Sequence, residues 1–514
     1  MSLARDITTV GGGTLMSRLL AYARDAWIAA LLGAGPYSET LFAVLQVVNF
    51  FRRLLSEGAL NSAFVPIWSK LHGSTNGAAN ANRFTRRVLL MMFCVAGSIV
   101  LLAVFLGRYI IAGIAPGFDD AQQFFAALLL SITAPYILLA GLVAVIAAAL
   151  SAEGRVGAVA ITTVLFNLTM LLALLFVLSV SLERYETTAW VALAVTAAGT
   201  VQLLTIVTVW LMTGKRWQRT NAAVRDQVGL FFGRALPGLI ATGIPQLKLI
   251  AAIAIVSASP SAVSWLYYAN RLYELPLGIA SIGVAAAIVP RIASSVHARD
   301  TGRFAAVQSR AYELSVGLAL PAATGFALLA EPIARGLFER GAFGAQDTAA
   351  VAAALVAICA GLPGHVLEKV FGAVSFAHED THTPMLAALS GLAAAIAGGV
   401  LLLSRFDCVG VAAAIAMSGW VGAGLLGATL WRRGWLRIDT DARRRLPRIC
   451  LATLAMAGVV GYSNHAIGTA GASSAARLAI LAALVTLGIA VYLAALRLLR
   501  VMTLKELAAL QRKS

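Results

Sequence analysis

Long apolar runs separated by short polar connections make up most of this chain. Fourteen of them can cross a bilayer, at about residues 7–32, 40–68, 86–112, 122–150, 157–180, 188–213, 229–256, 262–292, 304–329, 347–371, 384–404, 408–431, 447–468 and 475–499. A hydrocarbon core of ~30 Å needs about 20 helical residues at ~1.5 Å each. The pattern therefore predicts an all-α polytopic membrane protein with about 14 transmembrane helices. The eighth run opens Ser264-Trp265-Leu266-Tyr267-Tyr268-Ala269-Asn270-Arg271-Leu272-Tyr273-Glu274-Leu275-Pro276. Arg271 and Glu274 share one helical face, just before a proline that removes a backbone donor. A charge at the bilayer centre costs roughly 2.5–3.5 kcal/mol on insertion scales, so such residues face a bundle interior or a wet cavity. Two readings stay open at this point: a buried pair that fixes helix packing, or one wall of a polar cavity.

Spans 1 and 2 interrupt the apolar pattern most after the eighth. Span 1 holds Arg18, Arg24 and Asp25, and span 2 holds Gln46, Asn49, Arg52, Arg53, Glu57 and Asn61. Asn49, Arg53, Glu57 and Asn61 recur every four residues and form a polar stripe, with Arg52 beside it. Arg53 with Glu57 can be read as an intrahelical pair. The set as a whole cannot, because Arg18, Arg24, Arg52 and Arg271 outnumber Asp25 and Glu274. A desolvated surplus of cations needs an anion, and the planar guanidinium suits phosphate bidentately. Lys248 in span 7 is a further cation, read either as a wall of the site, as a titrating group or as a snorkelling lysine.

The second half of the chain echoes the first. Ala63-Phe64-Val65-Pro66 recurs as Ala287-Ile288-Val289-Pro290, 224 residues on, and Pro135 recurs as Pro363, 228 residues on. Two anchors at nearly one offset predict two parallel six-helix repeats, with residues 1–220 as one lobe, 221–440 as the second and 441–514 as two appended spans with a tail. Loop charge orients the chain. Lys215, Arg216, Arg219 and Arg225 follow span 6, and seven arginines from Arg432 to Arg448 follow span 12. The connections at 33–40 and 257–261 carry no Lys or Arg. Positive loops stay inside, so both termini are expected in the cytoplasm.

Composition agrees: 60% of the 514 residues are hydrophobic and 12% charged, with a mean hydropathy of +0.84, against about 25% charged in soluble proteins. The net charge of +17 sits in alternate loops and so does not point to nucleic acid. Residues 1–10 are polar and the first apolar run exceeds a signal h-region, so no removable signal peptide is expected. Cys94, Cys359, Cys408 and Cys450 show no pairing or zinc spacing. His378-Glu379-Asp380-Thr381-His382 matches the H-E-x-x-H pattern, but Thr383-Pro384 follows at once, where a continuous helix is disfavoured. His72, His297, His365 and His465 form no cluster in the sequence, and there is no P-loop. No metal and no cofactor are expected. A membrane enzyme acting on polyprenyl phosphates would need a carboxylate cluster, whereas the acids here are few and mostly beside arginines.

The eighth-span stretch, extended to Leu277-Gly278, has companions along the chain. They are Ser17-Arg18 through Arg24-Asp25, Asn49-Phe50-Phe51-Arg52-Arg53-Leu54 through Val65-Pro66, Ala115-Pro116-Gly117-Phe118, Pro135-Tyr136-Ile137-Leu138, Leu337-Phe338-Glu339-Arg340-Gly341-Ala342-Phe343 and Glu379-Asp380-Thr381. Together these resemble the MurJ (MviN) family of lipid II flippases over about residues 1–440. The resemblance implies the multidrug/oligosaccharidyl-lipid/polysaccharide exporter fold, with two six-helix lobes around a cationic central cavity and two C-terminal helices forming an apolar groove. It implies transport of lipid II, the undecaprenyl-pyrophosphate-linked peptidoglycan precursor, to the outer leaflet of the bacterial inner membrane. It also implies that Arg18, Arg24, Arg52 and Arg271 are required; the residue pattern itself adds Asn49 and Arg53 beside them and Asp25, Glu57, Glu274 and Lys248 in support. Expected partners are lipid II, membrane lipids and cell-wall synthases, with the protein itself a monomer. Spans 11 and 12 (385–403 and 409–430) contain no Asp, Asn or Glu, so a sodium site of the kind some members carry is not expected there. Coupling to membrane potential or through Lys248 is the expectation instead. The alternative reading is an ion-coupled exporter of the same fold for another polyprenyl-linked oligosaccharide or for drugs.

Overall fold

The computed structural model describes residues 3–56, 59–74, 77–213, 225–287, 291–292, 294–295, 300–467 and 473–501. Its regular structure is helical throughout these residues. In chain order the helices are α1 (Leu3–Leu32), α2 (Pro36–Ser56), α3 (Ala59–His72), α4 (Gly77–Phe105), α5 (Gly107–Ile114), α6 (Asp120–Thr133), α7 (Pro135–Ala152), α8 (Val156–Val180) and α9 (Arg184–Met212). They continue as α10 (Arg225–Val256), α11 (Ala262–Ala287), α12 (Thr301–Leu328), α13 (Ala330–Phe338), α14 (Ala345–Cys359), α15 (Leu362–Ala377), α16 (His382–Arg432), α17 (Thr440–Ile467) and α18 (Ser474–Leu498).

Local chemistry sets the breaks. The Asp119 carboxylate accepts from Gln122 N at 2.7 Å and the Gln122 side chain accepts from Asp119 N at 3.3 Å, a reciprocal cap that starts α6. The predicted span 122–150 is divided between α6 and α7 at Pro135, which cannot donate to the turn before it and sits at the first position of α7. Its counterpart in the second half is divided in the same way, between α14 and α15 near Pro363, and Asp347 accepts from Gly344 N at the start of α14. The predicted span 86–112 ends earlier, at Phe105, and α5 follows as a separate short helix. The order α4–α5–loop–α6–α7 thus recurs as α12–α13–loop–α14–α15. Spans 11 and 12 are the two arms of α16, which turns at Asp407 (φ 49°, ψ −135°). A Cβ at Gly410 would run into the Leu402 carbonyl, so the returning arm needs glycine there.

The chain divides into two compact units, residues 1–264 with 340–343, and residues 265–339 with 344–514. In the first, α8 packs on α1 and α9, α7 on α4 and α9, α2 on α6 and α7, and α10 on α2 and α3. In the second, α15 packs on α16 and α12, α14 on α16, and α17 on α18 and α12. The expected boundary at 220–221 lies outside the described residues. Among the described residues nine helical stretches are long and apolar enough to cross a membrane, α16 counted once. The protein is a multi-pass membrane protein. The other expected spans, α1, α2–α3, α10 and α11, are those that carry Arg18, Arg24, Asp25, Arg52, Arg53, Lys248, Arg271 and Glu274.

Candidate functional site

In the first unit α1 and α8 meet at a polar node inside the membrane layer. Arg24 donates from Nε and Nη2 to one oxygen of Asp25, at 2.9 and 2.7 Å. The Asp25 side chain is wholly excluded from solvent. The third Arg24 donor, Nη1, reaches Asn167 Oδ1 at 3.2 Å. Asn167 is buried and donates in turn to Ser17 Oγ at 3.0 Å and to the Ser17 and Thr163 carbonyls. A charge this dry persists only when paired and hydrogen-bonded, and the node supplies both. Arg18 lies half-buried on α1 and makes no hydrogen bond or ion pair among the described residues.

From α2, Arg52 donates to Asn49 Oδ1 at 3.3 Å. Tyr136, at the start of α7, lies within electrostatic reach of both the Arg52 and the Arg24 guanidiniums. The structure therefore brings these two predicted cations around one buried aromatic. Arg53 is half-buried on the same helix, and Lys248 is buried on α10. Glu57 lies outside the described residues.

The second unit holds the other predicted pair. Arg271 Nη1 donates to Glu274 Oε2 at 3.2 Å, with both side chains about a quarter exposed (24% and 27%). Between them in sequence stands Tyr273, which turns inward and is buried. Its hydroxyl lies 2.8 Å from His365 Nδ1 on α15. Sequence reading passed over His365 because no other histidine accompanies it. The available signal was its position two residues after Pro363 in an otherwise apolar span.

A third feature was not legible as a site. Within the first unit the end of α1, the start of α2 and the start of α11 are joined by short polar contacts. Ser38 Oγ lies 2.9 Å from Ser264 Oγ, Val263 N donates to Glu39 Oε1 at 3.2 Å, and Ser261 Oγ donates to the Ala34 carbonyl at 3.2 Å. Two repeat-related loops close the same region. Gly117 N donates to Ser257 Oγ at 3.0 Å, and Ala342 N donates to the Ala30 carbonyl at 2.8 Å. Ser38 and Ser264 are 226 residues apart, close to the repeat offset, so they are near-equivalent positions meeting each other.

The His378–His382 segment forms the turn between α15 and α16. His378 caps α15, Glu379 has φ +61° and His382 begins α16, so the two histidines stand on different helices. His378 stacks on Trp435 with ring centroids 4.1 Å apart. Asp380 accepts from His382 N and Thr383 N and pairs with Arg433 at 2.6 Å.

Comparison with known proteins identifies the lineage. A family model described as "Lipid II flippase MurJ" matches residues 28–481. The "Probable lipid II flippase MurJ" of Rhizobium meliloti (strain 1021) is 36% identical over 465 residues, covering 90% of this chain and 86% of that protein. Among solved structures, "Lipid II flippase MurJ, inward closed conformation" matches with a TM-score of 0.78 at 22% identity, covering 95% of this chain and 97% of the other. An inward-facing multidrug resistance MATE family transporter of the MOP superfamily matches with a TM-score of 0.70 at 13% identity, over 84% and 95% of the two chains. The two structural matches establish the exporter fold. With the family model running through most of the chain and a relative above a third identical across nine-tenths of it, the chain belongs to the lipid II flippase MurJ family.

Proposed function

We propose that this protein carries lipid II from the cytoplasmic to the outer leaflet of the bacterial inner membrane by alternating access, with both termini in the cytoplasm. The observation that carries this reading is the approach of Arg24 and Arg52 to Tyr136, a concentration of cation in membrane-spanning helices where each charge is expensive. Arg18, Arg24, Arg52 and Arg271 are the substrate-binding residues of the proposal, and Asn49 and Arg53 stand beside them. Guanidinium groups recognise pyrophosphate oxygens bidentately, so the headgroup is the part of the substrate they bind. Asp25, Glu57 and Glu274 orient the arginines, and Lys248 adds positive potential. The polyprenyl tail runs along α17 and α18, which pack on each other and leave Leu451, Leu454, Tyr462, Ile489 and Leu493 exposed. Cell-wall synthases are the proposed protein partners of a monomeric transporter.

The test is leaflet translocation of lipid II by purified protein in vesicles, with and without an imposed membrane potential. Wild type is expected to translocate, and Arg52→Ala and Arg271→Ala to lose at least about tenfold, which corresponds to ~1.4 kcal/mol. A folded wild type that moves no lipid II under either potential overturns the proposal.

A further inference from the structure

The second unit contains a titratable site that the arginines do not explain. Helix α15 and the second arm of α16 pack glycine against glycine. A Cβ on Gly361 would run into Ala416, and one on Gly364 into the Gly419–Trp420 backbone. The space kept open on α16 is filled by two ionisable side chains. The His365 ring lies over Gly419, and the Glu368 carboxyl lies over Gly422, one turn further along both helices.

Three oxygens stand beside the ring nitrogens. At Nδ1 stand the Gly361 carbonyl at 3.0 Å and the Tyr273 hydroxyl at 2.8 Å. At Nε2 stands Ser418 Oγ, at 3.5 Å. The Ser418 hydroxyl is fully buried and directs its own hydrogen to the Ile415 carbonyl at 2.7 Å, so it turns lone pairs toward the imidazole. A neutral imidazole carries one N–H. With that hydrogen on Nδ1, bare Nε2 faces the serine lone pairs. With it on Nε2, bare Nδ1 accepts from the Tyr273 hydroxyl but faces the Gly361 carbonyl as well. The imidazolium donates at both ends of the ring: Nδ1–H is shared by Gly361 O and Tyr273 Oη, and Nε2–H points to Ser418. Glu368 stands three residues along α15.

We propose that His365, with Tyr273, Ser418 and Glu368 around it, is a proton-binding site that ties the transport cycle to pH. The proton adds to the ring nitrogen left bare in the neutral form and leaves from the same atom, with no other bond made or broken. Tyr273 lies between Arg271 and Glu274 on α11, so the charge on His365 acts directly on the helix that carries this arginine. The charged and titratable groups on the elements packed around the site are Tyr273, Arg271 and Glu274 on α11, Glu368 and Lys369 on α15 itself, and Cys359 on α14, which with Glu368 is within electrostatic reach of Tyr273. From α12, Tyr312 lies against Phe371, further along α15. The second arm of α16 has no Asp, Glu, Lys or Arg before Arg432.

The role in transport rests on the flippase reading, whereas the protonation itself does not. Two measurements therefore separate them. Histidine-specific nitrogen NMR of the whole protein in nanodiscs follows the six histidines of the chain, with His365→Gln assigning the resonance. The His365 ring is expected to be doubly protonated on the acid side of a titration that Tyr273→Phe moves to lower pH, because the phenyl ring removes an acceptor. A ring that stays neutral down to about pH 5, below the ordinary imidazole range, overturns the site. Separately, lipid II translocation by wild type should change roughly five- to tenfold across about pH 5.5–8, the window in which an imidazole titrates. In His365→Gln the rate should be flat across that window, whatever its level. The same pH profile in His365→Gln as in wild type overturns the coupling while leaving the flippase reading intact. An inactive wild type at every pH strikes the flippase reading instead, and the NMR titration still decides the site.

Discussion

Arg24 and Arg271 are both membrane arginines beside an acid, yet they are held in opposite ways. Arg24 spends three donors on two helices, two on a carboxylate with no solvent exposure and one on the Asn167 amide of α8. Arg271 pairs with Glu274 one turn away on its own helix, and both side chains are about a quarter exposed. The first is part of how the unit is packed. The second pairs with an acid of its own helix in a partly solvated place, and its neighbour Tyr273 ties this part of α11 to α15. An arginine proposed to bind substrate can therefore sit in a dry, paired site or in a partly solvated one, and stability measurements separate the two.

The largest expected effect breaks the comparison open. Arg24→Ala strands the Asp25 carboxylate in a dry site, which typically costs ~3–5 kcal/mol and should appear as a large fall in the melting temperature of the detergent-solubilised protein. Arg271→Ala removes an i,i+3 pair worth ~0.2–0.5 kcal/mol and should melt close to wild type. Both should lose translocation. Combining Arg24→Ala with Asp25→Ala should recover much of the stability and none of the transport. Equal melting of the two single variants would refute the distinction between a dry and a partly solvated arginine pair.

This division also marks what the sequence could show. The residues Arg18, Arg24, Arg52 and Arg271 stood out because charge in an apolar run is conspicuous, and the helical architecture followed from the runs themselves. Helix breaks at Pro135 and near Pro363 were visible as repeat anchors, although the predicted spans ran through them. The partners were not legible. Asn167 is 143 residues from Arg24 and looks like any amide in an apolar span. His365 is 92 residues from Tyr273, and its environment is set by glycines whose meaning depends on which helix they face. Composition reveals an unusual group, whereas its role depends on long-range packing that no local pattern encodes.

A middle-sized effect tests the backbone in the first unit. Gly341 has φ +60°, and a Cβ there would meet the Ala30 carbonyl that accepts from Ala342 N. Gly341→Ala adds a left-handed strain of roughly 1–2 kcal/mol and a steric displacement of the loop. The expected result is a loss of about 1–3 kcal/mol in unfolding free energy, on the scale of strained backbone sites, with the Ala30–Ala342 hydrogen bond exchanging faster. Wild-type exchange at Ala342 in this variant would show that the contact does not hold the loop, and that Arg24 alone represents the tightly packed class in this unit.

The smallest effect lies outside the membrane and fixes the lower end of the scale. Burial pushes the Asp380 carboxyl upward, but hydrogen bonds from the Thr383 hydroxyl and N–H, together with the Arg433 guanidinium, outweigh it and hold the group below the usual carboxylate range. A carboxyl whose pKa is lowered by folding stabilises the native state above its unfolded pKa of about 3.9 and loses that contribution as the pH falls through the native value. Asp380→Asn should therefore cost under ~1 kcal/mol at about neutral pH, because Arg433 is largely solvated and such pairs are weak. Arg433 is 44% exposed, which places this pair beyond Arg271–Glu274 on the solvated side of the comparison. The deficit should begin to shrink once the pH drops below about 3.9, where the unfolded carboxyl becomes neutral, and should close below the native value. Melting of both proteins across that range checks the sign. A deficit that stays constant with pH would assign the effect to the lost geometry of the α15–α16 turn, and Asp380 would join Arg24 among the groups that packing depends on.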